Sequence, residues 1–414
     1  MYRRVVVTGV GVNSPVGNDA GSFWEALCAG RSGIGPVTSF DVTDYPTKIA
    51  GEVKDLDFTR YVDPKDVRRS DRAIVLGLVA ARMALDDSGL DLTSENLERV
   101  GVIVGSGVGG LHTMEAEHIK LLDRGPGRVS PFLIPMMITD MPAGCISMAH
   151  GLKGPNYSVV SACASASHSL GDAFMMIRCG MMDAAVAGGT EAAITPLSFA
   201  GFCSMKAMST RNDTPQKASS PFDTKRDGFV MGEGSGVVIL EELEHAKARG
   251  AKIYGEMLGY GATGDAFHLT HPAPEGEGAQ AAMRMALASA GVAAGDIDYI
   301  NAHGTSTPLN DKYESIAIER VFGEAAKKVN ISSTKSMTGH LLGASGGVEF
   351  VASLFAIRDG IIPPTINYED PDPDCGLNYT PNVAVKREVR YAMSNTFGFG
   401  GHNASVIVGR YDKD

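Results

Sequence analysis

Basic charge, paired cysteines and long apolar runs are all scarce in this sequence of 414 residues. The net charge is −11, which argues against nucleic acid as a partner because phosphate neutralisation requires a basic surface. Six cysteines occur without a C-x-x-C pair, so we expect reduced thiols in a cytoplasmic protein rather than a disulfide framework. No run of about 18 apolar residues exists, which predicts that no segment spans a membrane.

Short patterns of the first half of the chain recur in the second half, in the same order. The matching segments are 8–11 with 258–261, 84–107 with 286–304, 160–171 with 332–343, and 177–180 with 357–360. Each match is weak alone, but their common order predicts two similar halves, which we place at residues 1–252 and 253–414.

Strand-like and helix-like segments alternate within each half. Residues 5–8 and 99–104 are short apolar runs typical of buried strands, whereas residues 72–88 have apolar side chains at helical spacing and stop at Gly89. This alternation predicts an α/β fold with sheets covered by helices on both faces. The strand ends of the two halves would then meet at a central cleft, where ligands of open α/β sheets bind.

Cys163 follows an apolar run and precedes small residues that open a helix. A thiol at a helix N-terminus meets unpaired N–H groups and the positive end of the helix dipole, which favour thiolate and can hold a developing oxyanion. Strand-to-helix turns are also where nucleophiles are displayed. The alternative is a buried structural cysteine, which is our interpretation of the other five.

Two histidines lie at turns that the duplication places at the same cleft. His303 follows the predicted strand 297–300, and His340 lies in the counterpart of the cysteine turn. Lys335 occupies the position equivalent to Cys163 in that turn. Single histidines are more often core or surface residues than catalysts, but this shared location favours a functional site.

Two further motifs have competing interpretations. Residues 105–110 match G-x-G-x-x-G, yet no second strand ending in Asp or Glu follows about 20 residues on, so nucleotide binding is not favoured. Asp265, His268 and His271 have the spacing of metal ligands, but a loop with polar tips is the favoured interpretation. We therefore expect neither a metal nor a cofactor.

Four motifs in order resemble those of β-ketoacyl-acyl-carrier-protein synthases, in the form of the type II enzyme of bacterial fatty acid synthesis. They are residues 161–164, 301–308, 333–344 and 394–401, and the similarity extends nearly end to end through 210–213, 226–229 and 363–367. The resemblance implies a thiolase-like fold, in which two duplicated halves form a five-layer α-β-α-β-α sandwich. It also implies a cytoplasmic homodimer that works with acyl carrier protein.

The implied activity is a decarboxylative condensation of an acyl thioester with malonyl-acyl carrier protein. The products would be 3-oxoacyl carrier protein, carbon dioxide and free carrier protein. By resemblance, Cys163 would carry the acyl chain, while His303 and His340 would promote decarboxylation and stabilise the enolate. Lys335 would orient the histidines and pair with Glu349.

The resemblance assigns further roles. The backbone N–H groups of Cys163 and Phe399 would form an oxyanion hole, and Phe399 would also act as a gate. Substrate-binding positions would be Val108, Phe202, Thr270, Thr305 and Thr307. Basic residues matching carrier-docking regions are Lys65, Arg68 and Arg69, with Lys206 and Arg211 as a second group; a solvated charged face is the alternative.

One departure and several alternatives stay open. Residues 400–403 read Gly-Gly-His-Asn where the family usually has Gly-Gly-Thr-Asn, so His402 could alter the motion or pH response of the gate. A polyketide-type ketosynthase would share all the catalytic residues. A non-catalytic chain-length partner is the alternative of another class, although intact Cys163 speaks against it. Thiolases and the initiating synthase III class share the fold, but the latter has Asn where His340 stands.

Overall fold

The computed structural model describes residues 2–412. Its strands are β1 (Val5–Asn13), β2 (Gly35–Pro36), β3 (Ile49–Ala50), β4 (Val100–Gly105), β5 (Asn156–Tyr157), β6 (Ala184–Glu191), β7 (Gly234–Glu242), β8 (Gly255–Gly264), β9 (Tyr299–Asn301), β10 (Asn330–Ser332), β11 (Ile361–Ile362), β12 (Val385–Lys386), β13 (Tyr391–Gly398) and β14 (His402–Gly409). Its α-helices are α1 (Ala20–Cys28), α2 (Pro64–Val67), α3 (Arg72–Ser88), α4 (Leu111–Arg124), α5 (Leu133–Met137), α6 (Met141–His150), α7 (Ser165–Arg178), α8 (Pro196–Ser204), α9 (Leu243–Ala248), α10 (Glu277–Ala290), α11 (Pro308–Phe322), α12 (Lys335–Thr338) and α13 (Ser345–Asp359).

The main sheet repeats one strand order in each half. The first half runs β5-β4-β6-β7-β1 and the second half runs β10-β9-β13-β14-β8. In both halves the strand next to the last (β7 or β14) is antiparallel to its neighbours. The halves join where β1 pairs with β8, from Val5 opposite Met257 to Val7 opposite Gly255. This repeated order confirms the duplication that the sequence pattern predicts.

The two halves of the main sheet and the helices that cover them form five layers. On one outer side α3 and α6 pack against the first half, and on the other α10 packs against the second half and carries α11. Between the halves lie α7 and α13, which contact each other and strands of both halves. The predicted α-β-α-β-α sandwich is therefore confirmed.

Small residues set the distance between strand and outer helix in the same way in both halves. A Cβ on Gly11 would lie 1.9 Å from the carbonyl oxygen of Ala80 in α3. A Cβ on Gly261 would lie 2.0 Å from the carbonyl oxygen of Ala282 in α10. The recurring glycine pattern is thus explained by close approach of backbone to backbone, which a side chain would prevent.

Some predicted elements need adjustment. The helix over residues 72–88 forms as expected and ends at Gly89, which has φ +60°. The first strand is longer than residues 5–8, since its ladder with β7 continues to Asn13 opposite Ser235. The run before Cys163 is not a full strand, because β5 is an edge strand and pairs with β4 only at Asn156 and Tyr157.

Within residues 2–412, no helix has the length and apolar character needed to cross a lipid bilayer. All six cysteines are free in the structure.

Candidate active site

Cys163 sits on a tight turn between β5 and α7. Ala162 just before it has φ +52°, a conformation that costs a non-glycine residue energy and persists only where surrounding structure enforces it. The turn is closed by the backbone N–H of Ala164, which donates to the carbonyl of Ser161 at 3.1 Å. Gly398 backs onto the turn so closely that a Cβ there would lie 2.7 Å from the Ser161 oxygen. The thiol is buried but borders a cavity.

His340 lies directly beside this thiol. Its Nε2 is 3.1 Å from Cys163 Sγ, and its Nδ1 is 2.9 Å from the hydroxyl of Ser345 at the start of α13. The backbone of His340 is held as well, since its N–H donates to Val230 at 2.7 Å and its carbonyl accepts from Gly232 at 2.8 Å. The ring is therefore fixed at both nitrogens and along the chain.

His303 is the third member of the group and follows β9. Its ring centroid lies 5.3 Å from that of His340, with the rings nearly perpendicular. The carboxylate of Glu314 in α11 accepts from the backbone N–H groups of His303 at 2.9 Å and Gly304 at 2.8 Å. Nδ1 of His303 is buried and has no hydrogen-bond partner in the protein.

Lys335 is buried behind the histidines and forms an ion pair with Glu349 in α13. Neither residue lines the cavity. Burial lowers the pKa of both His303 and His340 well below the ordinary histidine value, and the positive charge of Lys335 lowers it further. Both imidazoles are therefore neutral at physiological pH.

The environment of Cys163 opposes the thiolate that its place before a helix predicts. Burial raises the pKa of the thiol to about 12; the Lys335 charge and a hydrogen bond from the Phe399 backbone lower it, while Glu191 raises it. Desolvation outweighs the favourable contributions, because the thiol lies in the interior two residues before α7 begins. The resting side chain is a thiol, and its proton has to leave when it reacts.

Glu191, at the end of β6, is a cavity residue that our sequence reasoning missed. Its carboxylate is fully buried and accepts from the backbone N–H groups of Gly107 (2.7 Å), Gly343 (3.0 Å) and Val108 (3.3 Å), and from the Ser106 hydroxyl (2.8 Å). It thus ties the turn after β4 to the turn after His340. The signal available in the sequence was an acidic residue ending an otherwise uncharged strand.

These side chains open onto a cavity of about 500 Å³. The predicted positions that line it are Val108, Cys163, Phe202, Lys206, Thr270, His303, Thr305, Thr307, His340 and Phe399. Thr305 and Thr307 are hydrogen-bonded to each other through their hydroxyls at 2.8 Å. The rings of Phe399 and Phe202 lie 6.5 Å apart between centroids. The structure therefore brings together residues that span more than half of the chain.

The predicted docking residues fall into different environments. Lys65, Arg68 and Arg69 are exposed at and just beyond α2, and Arg69 lies over the ring of Phe132 at 5.2 Å. Lys206 is exposed and reaches the cavity. Arg211 is different from our expectation, because it is half-buried and donates to the Ser220 hydroxyl at 3.3 Å.

The residues of the G-x-G-x-x-G motif and of the Asp265 loop make contacts with other parts of the protein. The amides of Gly107 and Val108, which a phosphate would require, already bind the Glu191 carboxylate. Asp265 accepts from the Asn403 side chain at 2.7 Å and from the Ala273 N–H at 3.0 Å, so it braces a loop. His402 is exposed, and its ring packs against Gly400 in the turn beside Phe399.

One group of side chains in the described part of the chain has the chemistry and spacing of metal ligands, and three buried oxygens elsewhere lack a partner. Cys163, His303 and His340 offer a thiol and two imidazoles, with ligand atoms all within 4.8 Å of one another. Asn301 Oδ1, Ser394 Oγ and Glu349 Oε2 are buried oxygens without a protein partner. Asn301 and Ser394 are register partners on neighbouring strands. Buried oxygens of this kind are satisfied by water or by a hard cation.

The geometry agrees with comparisons to known proteins. Residues 2–246 match the family description "Beta-ketoacyl synthase, N-terminal domain" and residues 254–369 match "Beta-ketoacyl synthase, C-terminal domain". The chain therefore belongs to the β-ketoacyl synthase family.

Among individual proteins, the chain is 52% identical over 409 residues to 3-oxoacyl-[acyl-carrier-protein] synthase 2 of Synechocystis, covering 99% of this chain and 98% of that protein. Among solved structures it is similar to the ishigamide ketosynthase/chain length factor, with TM-score 0.94, 37% identity and full coverage of both chains. It is also similar to a type II polyketide ketosynthase in complex with its acyl carrier protein and bound to the hexaketide, with TM-score 0.92, 33% identity and full coverage of both chains.

Proposed function

We propose that this chain is an acyltransferase that condenses an acyl thioester with malonyl-acyl carrier protein in fatty acid chain elongation. It releases carbon dioxide and free carrier protein and yields 3-oxoacyl carrier protein. The observation that carries this function is the contact of Cys163 Sγ with His340 Nε2 at 3.1 Å, with His303 facing the same cavity. A thiol and two neutral imidazoles are the groups that acyl transfer followed by decarboxylation requires.

In the first half-reaction the acyl group moves from the carrier thioester to Cys163. The Cys163 sulfur attacks the thioester carbonyl and loses its proton, and the carrier leaves as a free thiol. The N–H groups of Cys163 and Phe399 stabilise the oxyanion. The Phe399 N–H already points at Sγ, which supports this role.

In the second half-reaction malonyl carrier protein loses carbon dioxide, and the resulting enolate attacks the acyl group on Cys163. The carbon–sulfur bond to Cys163 breaks, and the sulfur takes up one proton from solvent. Neutral imidazoles act as N–H donors to the enolate oxygen: with Nδ1 of His340 accepting from Ser345, its Nε2 carries the hydrogen. Because desolvation keeps both rings neutral, they stabilise the enolate without protonating it outright.

Lys335 acts on the site from behind. It does not line the cavity, so its role is to hold the histidines neutral and oriented, with Glu349 balancing its buried charge. Phe399 gates the acyl pocket, which Val108 and Phe202 line, and Thr270, Thr305 and Thr307 contact the substrate arm. The support for these assignments is that all six side chains line the cavity.

Specific observations disfavour the two alternative functions. A polyketide-type ketosynthase has the same chemistry, but the identity of 52% to a fatty acid enzyme exceeds the 37% and 33% to polyketide enzymes. A non-catalytic chain-length partner has no need of a nucleophile held against His340.

We further propose acyl carrier protein as the partner, docking at Lys65, Arg68, Arg69 and Lys206, and a homodimer as the working form. For the dimer, support comes from β5, an edge strand that is followed by exposed Val160.

The proposed division of the chain into residues 1–252 and 253–414 falls in the connection between α9 and β8. Six free thiols favour the cytoplasm as compartment.

A condensation assay with malonyl carrier protein and acyl donors of increasing length tests the function. Labelled acyl thioester should acylate one cysteine per chain, and labelled product should carry two additional carbons. If Cys163 is not acylated and malonyl carrier protein is not decarboxylated, the chain-length partner is the correct function.

A further inference from the structure

The catalytic group has a second chemical capacity. Among residues 2–412, Cys163, His303 and His340 form the group of side chains whose ligand atoms lie close enough to hold one metal ion, all within 4.8 Å. We propose that this group binds a thiophilic divalent cation of the Zn²⁺ type, which reversibly inhibits the enzyme by occupying the nucleophile. This site is additional to the proposed condensation and does not take part in it.

The distances require only a small adjustment. With Zn–S near 2.3 Å and Zn–N near 2.0–2.1 Å, a tetrahedral site places neighbouring ligand atoms roughly 3.3–3.6 Å apart. The observed Sγ to Nε2 distance is 3.1 Å, so this pair opens by a few tenths of an ångström. The His303 ring, whose ligand atom lies within 4.8 Å of the other two, then approaches by up to about 1.5 Å, and a water from the cavity completes the fourth position.

The surroundings favour such an ion. To bind the ion, His340 takes the tautomer in which Nδ1 donates its hydrogen to the Ser345 hydroxyl, 2.9 Å away, and Nε2 offers its lone pair to the metal, as in known zinc sites. Lys335 would repel a cation, but Glu349 pairs with it and the buried carboxylate of Glu191 lies beside Cys163. A sulfur and two imidazoles select Zn²⁺ and Co²⁺ over Mg²⁺ and Ca²⁺, which prefer oxygen.

Binding is a ligand exchange with a simple balance. The S–H bond of Cys163 breaks, the sulfur forms a bond to the metal, and one proton leaves to solvent. An acylated Cys163 has no lone thiolate to offer, so acylation and metal binding exclude each other. The ion would therefore act as a competitor of the acyl donor.

The test is a titration of metal-free protein with Zn²⁺, followed by calorimetry in two buffers of different ionisation enthalpy. We expect one equivalent bound per chain, about one proton released, and condensation activity lost and then restored by a chelator. Co²⁺ should give a thiolate-to-metal charge-transfer band in the near ultraviolet. Mg²⁺ at the same concentration should neither bind stoichiometrically nor reduce the condensation activity.

Variants separate this site from adventitious binding. Cys163→Ala should lose the stoichiometric ion and the cobalt band, and His303→Ala should bind at least about tenfold more weakly. Cys179→Ser removes an exposed cysteine and should bind as the parent does. Thermal melting shows that each variant is folded.

Two results would overturn the proposal: equal binding by Cys163→Ala and the parent, or a cobalt complex without the charge-transfer band. Failure of the condensation assay would leave the metal site standing, because binding requires only the ligand geometry. The two proposals therefore fail separately.

Discussion

Nε2 of His340 lies 3.1 Å from Sγ of Cys163, although 177 residues separate them in the chain. Cys163 lies in the first half, on the turn between β5 and α7, and His340 lies in the second half, on the turn between α12 and α13. The contact exists because α7 and α13 pack against each other in the central layer.

Replacing Cys163 with Ala should abolish acyl transfer and leave the fold intact, because one small buried residue replaces another. Labelled acyl thioester and thermal melting measure the two effects. Cys163→Gln should still decarboxylate malonyl carrier protein, since both histidines remain. Condensation by Cys163→Ala near the parent rate would contradict the covalent mechanism.

His303→Ala and His340→Ala should each reduce decarboxylation by about 100-fold or more, because the enolate loses an N–H donor. Acyl transfer to Cys163 should be retained better. His150→Ala, at the end of α6, is a control that should change neither step. A loss of folding in both variants would show instead that these are structural core histidines.

Glu191→Gln should shift the pH profile of Cys163 alkylation to lower pH. The negative charge of Glu191 raises the pKa of the thiol, so its removal lowers that pKa and exposes more thiolate at a given pH. Rates of iodoacetamide alkylation across pH give the midpoint.

A matched control for Glu191→Gln is Glu52→Gln. Glu52 is also buried and accepts from the backbone N–H groups of Thr38 and Ser39. The Glu52→Gln variant should be less stable than the parent, but the pH midpoint of its Cys163 alkylation should be unchanged. An unchanged or higher midpoint in Glu191→Gln would refute the electrostatic role.

Gly398→Ala should reduce acyl transfer strongly, whereas Gly264→Ala should not. A Cβ on Gly398 would lie 2.7 Å from the Ser161 oxygen and 3.1 Å from the Cys163 nitrogen, so the nucleophile turn must shift. A Cβ on Gly264 meets nothing within 4 Å. Misplacement of a nucleophile by about 1 Å can cost about 100-fold in rate. Equal activity of the two variants in a single-turnover acylation assay would count against a tightly packed turn.

Arg68→Glu combined with Lys206→Glu should raise the apparent KM for carrier-bound substrates and hardly affect coenzyme A thioesters. The net charge of −11 gives no bulk attraction to an acidic carrier protein, so docking depends on local basic residues. The parent's advantage should shrink with salt, since exposed charges are screened over about 10 Å at 0.1 M.

Lys327→Glu, an exposed charge in the second half, is the docking control and should leave KM unchanged. Equal losses with carrier-bound and coenzyme A substrates would mean that Arg68 and Lys206 support the fold or the cavity. The docking assignment would then be abandoned.

Local patterns in the sequence were sufficient for much of the architecture. The helix over residues 72–88 and its stop at Gly89 follow from apolar periodicity and from the left-handed conformation that glycine adopts easily. The glycine repeats at residues 9–11 and 259–261 mark two equivalent contacts between a strand and an outer helix. Their recurrence in the sequence therefore predicted the duplication. The spacing of Cys163, His303 and His340 within the repeats placed them at one cleft.

What the sequence could not decide depends on contacts between distant segments. Glu191 joins Gly107 to Gly343 only because β6 ends between the two turns, and no local pattern encodes that meeting. The direction of the Cys163 pKa shift also depends on contacts between distant segments. Helix-terminus effects act over one turn and are visible in sequence, but desolvation depends on everything packed around the thiol, which exists only once the two halves have closed over it.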